Sequence, residues 1–157
     1  MLRRTYDDQV CSIARTLEVV GERWTLLIVR DALAGVTRFD GFLTCLPIAR
    51  NVLSDRLTGL VEHGVLERVQ YQDRPPRHEY RLTARGRELT PVILALAAWG
   101  NRHGSTPTGP TDVAEHVGCG GTVHTQMVCE CCEEQLPASK VVRRPAGAAT
   151  PPRPAER

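Results

Sequence analysis

Lysine is nearly absent from this sequence of 157 residues, because 19 of its 20 basic residues are arginine. The planar guanidinium group suits phosphate and the edge of guanine, although a GC-rich genome would produce the same bias. Long apolar runs are also missing. The longest uncharged apolar stretch, Leu89–Trp99, contains a proline and is well short of the roughly 20 residues that span a membrane. We therefore expect no membrane partner.

Other features are missing too. The first residues, MLRRTYDD, turn acidic where a signal peptide would be apolar. We expect a cytoplasmic protein whose six cysteines stay reduced, which excludes a disulfide scaffold. The sequence has no Ser/His/Asp grouping, no phosphate-binding glycine loop and no paired carboxylates in an apolar setting. These absences predict that the protein is not an enzyme.

The charge is divided unevenly along the chain. Residues 1–103 carry 15 basic and 12 acidic residues, residues 104–136 carry 0 and 5, and residues 137–157 carry 5 and 1. The stretch 104–110, GSTPTGP, has the composition of a linker. Residues 137–157 are rich in proline and alanine, which predicts a disordered basic tail. Two units remain, 1–103 and 111–136, and we find no internal repeat.

Apolar residues recur at helical spacing in the first unit. They predict helices at about 11–20, 23–34 and 39–46, and a fourth that begins near Ala49 and ends at Gly64. Leu53, Leu57 and Leu60 form the buried side of this fourth helix. The period then changes to two over residues 65–70 and 78–83, which predicts two strands joined by a turn at 72–77. A last helix is expected from about residue 84 to residue 102.

Two helices joined by a tight turn and followed by a strand hairpin are typical of a winged helix-turn-helix. The sequence thus predicts a mainly α fold with a two-stranded β wing. A small C-terminal zinc-ribbon-like extension is also predicted, from the cysteine and histidine pairs of the second unit. The fourth helix is expected to enter a major groove, about 12 Å wide, on the side opposite its leucines. The candidate base-contacting residues on that side are Arg50, Asn51, Ser54, Asp55 and Thr58.

These residue types match the chemistry of base edges, since arginine suits guanine and asparagine suits adenine. Asp55 is expected either to accept a hydrogen bond from cytosine or to pair with a nearby arginine. Arg74 and Arg77, in the Pro-Pro turn between the strands, are expected to touch phosphate or the minor groove. The other predicted phosphate contacts are Arg23, Thr25 and Arg38. The alternative, a merely solvated polar helix face, is disfavoured by this basic turn.

Several consecutive blocks carry a resemblance to a known family. They are Cys11, then GERWTLLIVR at 21–30, Arg38-Phe39, IARNVLSDRL at 48–57, and YQDRPPRHEYRLT at 71–83 followed by Gly86. Over roughly residues 8–103 the chain resembles the HxlR-type family of bacterial winged helix-turn-helix transcriptional regulators. The resemblance implies a homodimeric repressor or activator whose first and last helices form the dimer interface, on a palindromic operator. Pro47 is a departure, because the family usually has glycine there.

The last predicted helix gives independent support for a dimer. It carries one apolar stripe, which consists of Leu89, Val92, Ile93, Leu96 and Trp99. Two strands cannot cover this stripe, and its exposure would leave a large apolar patch. We therefore expect a second copy of the chain to cover it. The alternative is that the stripe packs wholly on the core of its own chain.

The roles of the two cysteines in the first unit are inferred from their positions relative to the predicted helices. Cys11 precedes the first helix, and a helix N-terminus lowers the pKa of a thiol. Members of the family that the chain resembles often carry a redox-sensing or electrophile-sensing thiol there, so Cys11 is a sensing candidate. It is equally typical of a packed small residue. Cys45, beside Leu46, is expected in the core.

The second unit contains two close pairs of soft metal ligands, His116-x2-Cys119 and Cys129-x2-Cys132, with nine residues between them. Two such pairs are what a tetrahedral structural zinc ion needs. Cys131 is an extra thiol that could replace a neighbouring ligand, and His124 is a rival for His116. The alternatives are an acidic extension that binds no metal, or a redox-active pair of thiols.

We therefore predict a cytoplasmic, homodimeric repressor that binds double-stranded DNA and responds to redox or electrophile stress through Cys11. A second hypothesis is a zinc-ribbon module that binds another protein, with the helical unit serving for dimerisation. A third is a thiol oxidoreductase that uses Cys129 and Cys132. Nothing in the sequence indicates the operator, the regulated genes or the inducer.

Overall fold

A computed structural model describes residues 11–104 and 113–144 of the chain. Within these residues, four helices precede a β hairpin, and two further helices precede the C-terminal segment. The elements are α1 (Ser12–Val20), α2 (Thr25–Leu33), α3 (Phe39–Cys45), α4 (Arg50–Glu62), β1 (Leu66–Gln72), β2 (Arg77–Leu82), α5 (Ala84–Arg87) and α6 (Thr90–His103). The predicted order, mainly α with a two-stranded wing, is confirmed. Of the predicted linker at 104–110, residues 105–110 lie outside the described residues.

Helix α4 is fixed to the core by one side. Leu53, Leu57 and Leu60 have at most 1% of their surface exposed, as expected from their spacing. The helix ends at Gly64, whose positive φ of 67° allows its own N–H to reach Val61 O and the Val65 N–H to reach Leu60 O. The core therefore holds α4 by its leucine side, and the opposite side of the helix is free.

The wing is an antiparallel pair in which Leu66 lies opposite Leu82 and Gln70 opposite His78. The register shifts between Gln70 and Gln72, which is a bulge beside the turn. The segment before α3 joins the sheet, because Arg38 forms a bridge with Glu79. The wing is thereby attached to the helix that precedes α4.

The last helix is not continuous, which corrects the prediction for residues 84–102. Helix α5 ends at Arg87 and α6 begins at Thr90. Pro91, in the first turn of α6, has no N–H to donate to the Arg87 carbonyl, so the helical ladder breaks there. The Thr90 hydroxyl donates to the Arg87 carbonyl instead, at 2.7 Å.

The C-terminal segment 113–144 consists of two short hairpins and a 3-10 helix at Ala138–Lys140. Residues 137–144, the first part of the predicted tail, contain this 3-10 helix, and Lys140 pairs there with Glu134 at 3.0 Å. Residues 145–157 lie outside the described part. Among the described helices, none has both the length and the apolar character needed to cross a membrane.

Candidate nucleic-acid interface

The free side of α4 carries the five residues that we expected to contact bases. Arg50, Asn51, Ser54, Asp55 and Thr58 are all exposed. Their spacing along the helix places them on one side, opposite the buried leucines. The helix therefore packs on the core by one side and exposes a polar surface, available to a partner, on the other.

Arg50 is held by two groups of α3. Its Nη2 atom donates to Oδ1 of Asp40 at 3.2 Å, and its Cζ atom lies 5.3 Å from the ring centre of Phe39. Both partners of the ion pair are mostly exposed, at 70% and 84%. Such a pair contributes little to stability, but it orients the guanidinium group at the start of α4. Sequence analysis missed Asp40, since ten positions separate it from Arg50 and no pattern connects them.

A polar cleft joins the start of α4 to the wing. It has a volume of about 580 Å³ and brings together three predicted DNA contacts, Arg38, Arg50 and Arg77, with His78 beside them. Arg38 lies over the Tyr71 ring, 4.9 Å from its centre, which fixes its guanidinium group against the wing. The carboxylate of Asp40 also lines this cleft, so three guanidinium groups and one carboxylate leave a positive surface that is complementary to phosphate.

The remaining predicted contacts lie elsewhere. Arg74 is exposed on the wing turn, and Arg23 is exposed before α2, where its Cζ lies 5.2 Å from the Trp24 ring centre. Thr25 is a correction, because only 3% of its surface is exposed at the first turn of α2. It faces the interior, so it is unavailable to a phosphate group.

Arg56 is a further residue that sequence analysis missed. It pairs with Glu22 at 3.0 Å, and its side chain is 31% exposed. The pair connects α4 to the turn before α2 and so restrains α4. Asp55 takes part in none of the ion pairs found among the described residues, whereas Arg50 and Arg56 each have an acidic partner.

Cys11 occupies the N-cap position of α1 and is partly buried. The backbone N–H groups of Ala14 and Ile13 lower the pKa of its thiol, and the guanidinium group of Arg143 adds to this effect. Partial burial acts in the opposite direction. Cys45, which we expected in the core, is exposed on α3.

Helix α6 leaves much of its apolar stripe uncovered. Val92, Leu96 and Trp99 are 41%, 50% and 62% exposed, while Leu89 and Ile93 pack against the core. The second hairpin lies along one side of this helix. Its residues Met127 and Leu136 line, together with Val92 and Leu96, a cleft of about 940 Å³. Helix α1 carries two further exposed apolar residues, Ile13 and Leu17.

The family model of HxlR-like helix-turn-helix proteins matches residues 19–107. The chain belongs to this family of winged helix-turn-helix transcriptional regulators. It is 45% identical over 134 residues to the HTH-type transcriptional regulator Rv3095 of Mycobacterium tuberculosis, a match that covers 85% of each chain.

Two solved structures are also similar. PA1607, described as a candidate transcription factor, is 35% identical with a TM-score of 0.77 and covers 89% of this chain and 98% of its own. That match extends beyond the winged-helix part. HypR in its reduced form, described as a redox regulator, is 33% identical with a TM-score of 0.56 and covers 59% of this chain and 95% of its own.

Proposed function

We propose that this transcriptional regulator is a homodimeric repressor that places α4 in the major groove of a palindromic operator. Arg50 and Asn51 read guanine and adenine edges, and Ser54, Asp55 and Thr58 complete the base-contacting surface. The observation that carries the proposal is the arginine-lined cleft beside the exposed side of α4. In this proposal phosphate-binding groups lie next to base-reading ones, and such phosphate contacts fix the register of a helix on DNA.

The wing and the α3 segment supply the phosphate contacts. Arg38 and Arg77 lie in the cleft with Arg50, while Arg74 extends the cationic surface along the turn. Arg23, before α2, contacts a phosphate group of the DNA backbone away from this cleft. Because these contacts release counterions, affinity for DNA of any sequence falls steeply with added salt.

The test compares single substitutions by binding titrations on specific and random duplexes at several salt concentrations. Arg50→Ala should cost about 1–3 kcal/mol on the specific site and relax sequence preference. Arg74→Ala should weaken binding to all sequences alike and reduce the salt slope by about one. Arg87→Ala, on α5, removes the same charge away from this surface and serves as the control. Specific binding that survives Arg50→Ala would overturn the assignment of α4.

The dimer is supported by the exposed apolar residues of α1 and α6, namely Ile13, Leu17, Val92, Leu96 and Trp99. These residues stay exposed although the second hairpin lies beside α6, and two helices with exposed apolar residues favour a second copy of the chain as their cover. In such a dimer, two copies of α4 meet half-sites about 34–36 Å apart, roughly one turn of B-DNA. Footprinting on the operator would show this spacing, and protection of a single half-site would contradict it.

Cys11 gives the regulator its response to oxidants or electrophiles. Two observations support this role: its thiol has a lowered pKa, and a similar structure, HypR, is described as a redox regulator in reduced and oxidised forms. A thiolate reacts where a thiol does not. Treatment with an oxidant should release the wild type from DNA and leave Cys11→Ser bound, with Cys45→Ser behaving as wild type.

A further inference from the structure

The two hairpins of the C-terminal segment have the same backbone structure. The first spans residues 114–123 and is closed by a bridge between Glu115 and Thr122, and the second spans 127–136 and is closed by Val128 and Gln135. Every residue of the second lies 13 positions after its counterpart in the first. This structural repeat corrects the finding of no internal repeat, which rested on sequence alone.

The backbone hydrogen bonds follow the same repeat. Three bonds in the first hairpin have counterparts in the second, each shifted by 13 positions at both ends. The pairs are His116 N to Gly121 O with Cys129 N to Glu134 O, Gly120 N to His116 O with Glu133 N to Cys129 O, and Val123 N to Ala114 O with Leu136 N to Met127 O. The two turns are therefore copies of one conformation.

The turn conformation is kept even where the side chain opposes it. Gly120 has φ of 70°, and its counterpart Glu133 has φ of 58°, the one positive φ of a non-glycine residue among the described residues. A residue with a side chain is disfavoured in this region of φ and persists there only when its surroundings require it. The second turn is thus held in a shape that its own sequence does not favour.

Each turn begins and ends with a soft metal ligand. His116 and Cys129 are counterparts at the first position, and Cys119 and Cys132 are counterparts at the last. In the first turn the two side chains meet, since Nδ1 of His116 lies 3.1 Å from Sγ of Cys119. Cys129 and Cys132 occupy the same two positions of the second turn. Each hairpin therefore presents a bidentate pair, and the two pairs together supply three sulfur atoms and one nitrogen atom.

We propose that His116, Cys119, Cys129 and Cys132 bind one zinc ion, with two ligands from each hairpin. Three thiolates and an imidazole prefer zinc to the hard cations magnesium and calcium, and four such ligands fill a tetrahedral structural site. The repeat explains how the chain builds it, because one turn conformation used twice supplies both halves.

The proposed ion stabilises the fold of this segment, because the hairpins have almost no hydrophobic core of their own. In the segment 113–144 only Ala114, Cys129 and Leu136 are even partly buried. So small and exposed a unit needs a cross-link to hold its two halves together. The free energy of zinc binding then stabilises the position of one hairpin relative to the other.

Binding requires the hairpins to turn toward each other. In the part of the chain that the structure describes, no three His, Cys, Asp or Glu side chains are gathered around one point that could hold a metal. The connection 124–126, between the hydrogen-bonded residues Val123 and Met127, belongs to no strand, helix or bridge. Rotation about these three residues is what brings the two preformed pairs to one ion.

The repeat also decides between rival ligands. His124 lies in the connection, where its Nε2 meets Gln126 at 3.2 Å, and it has no counterpart role in a turn. Cys131 is the counterpart of Gly118, which has no side chain to offer. The first ligand position of the turn is therefore occupied by His116 in one hairpin and by Cys129 in the other. Neither His124 nor Cys131 is one of the four zinc ligands.

The experiment measures zinc in the full chain, purified without chelator, by elemental analysis and native mass spectrometry. We expect about one ion per chain, falling to below about one-tenth in Cys129→Ser, Cys119→Ser and His116→Ala. The matched controls Cys131→Ser, His124→Ala and Cys45→Ser should keep the wild-type content. After chelation and addition of Co²⁺ to the wild type, visible bands of tetrahedral cobalt with thiolate charge transfer should appear.

Four outcomes would overturn the proposal, of which the first three concern the metal site itself. They are a parent protein without zinc that takes up no Co²⁺, zinc content that survives loss of any of the four ligands, and a Cys129–Cys132 disulfide in protein kept under reducing conditions. Zinc shared between two chains, seen as half an ion per chain, would overturn the single-chain site. DNA binding by the chelated protein reports on α4 alone, so the two proposals fail independently.

Discussion

The guanidinium group of Arg50 lies 3.2 Å from the carboxylate of Asp40, at the start of the helix that we assign to the major groove. This pair joins α3 to α4 in the absence of DNA. In the proposed complex the Asp40 carboxylate repels the phosphate groups of DNA of any sequence, and on the specific site it also competes with guanine for Arg50. Asp40 therefore limits affinity while it keeps Arg50 extended.

Replacing Asp40 by asparagine should tighten binding to DNA. The amide keeps a hydrogen-bond acceptor for Arg50 and removes the charge, and an exposed pair of this kind contributes about 0.2–1 kcal/mol, so affinity should rise by up to about fivefold. Titrations on specific and random duplexes would show the same rise in both. Glu88→Gln removes an equal charge outside the cleft and should change nothing. Weaker specific binding in Asp40→Asn would show that Asp40 positions Arg50 productively.

Gly86 should be irreplaceable for stability, whereas Gly59 should not. A Cβ atom at Gly86 would lie far inside contact distance of the Val65 carbonyl oxygen and 2.8 Å from Cδ2 of Leu82. Gly86→Ala should cost about 1–3 kcal/mol of unfolding free energy.

Gly59 is the matched control, because nothing lies within 4 Å of a Cβ added there in the interior of α4. Gly59→Ala should raise the free energy of unfolding by about 0.5–1 kcal/mol. Urea denaturation of both variants checks the pair. Equal effects in the two would contradict the close packing of α5 against the start of β1.

The course of α4 followed from the sequence, because the spacing of Leu53, Leu57 and Leu60 together with Gly64 admits one orientation of the helix. Two other expectations depended on packing that no local pattern encodes. Thr25 is polar and yet buried, since the first turn of α2 faces the core, and Cys45 is apolar and yet exposed, since α3 turns it to solvent. The break before α6 did have a signal, the missing N–H of Pro91.

The C-terminal repeat was hidden from sequence for a different reason. The two hairpins share a conformation, but only Cys119 and Cys132 are identical between the two ligand-bearing turns. Hydrogen bonds of the backbone define the repeat, and these bonds do not require the same side chains in the two copies. The same turn is built with Gly120 in one copy and with Glu133 in the other.

The exposed side of α6 should control the oligomeric state. A buried leucine contributes about 1.5–3 kcal/mol, and a carboxylate in its place must also be desolvated. Leu96→Glu should therefore raise the dissociation constant of the dimer by at least about tenfold, as measured by sedimentation equilibrium. Val117→Glu, at a fully exposed position of the first hairpin, is the control. A dimer unaffected by Leu96→Glu would place the interface elsewhere.

The reactivity of Cys11 should depend on Arg143. Because the folded chain lowers the pKa of this thiol, its thiolate persists to lower pH than that of an ordinary cysteine, and alkylation should remain fast there. Arg143→Ala removes a positive charge that stabilises the thiolate, so the pKa should rise and the alkylation profile should shift to higher pH. Mass spectrometry of proteolytic peptides would follow the alkylation rate of residue 11 separately from the other five cysteines. Arg144→Ala loses the same charge one residue later and should leave the profile in place. An unchanged profile in Arg143→Ala would mean that the backbone N–H groups of Ala14 and Ile13 alone set the acidity of Cys11.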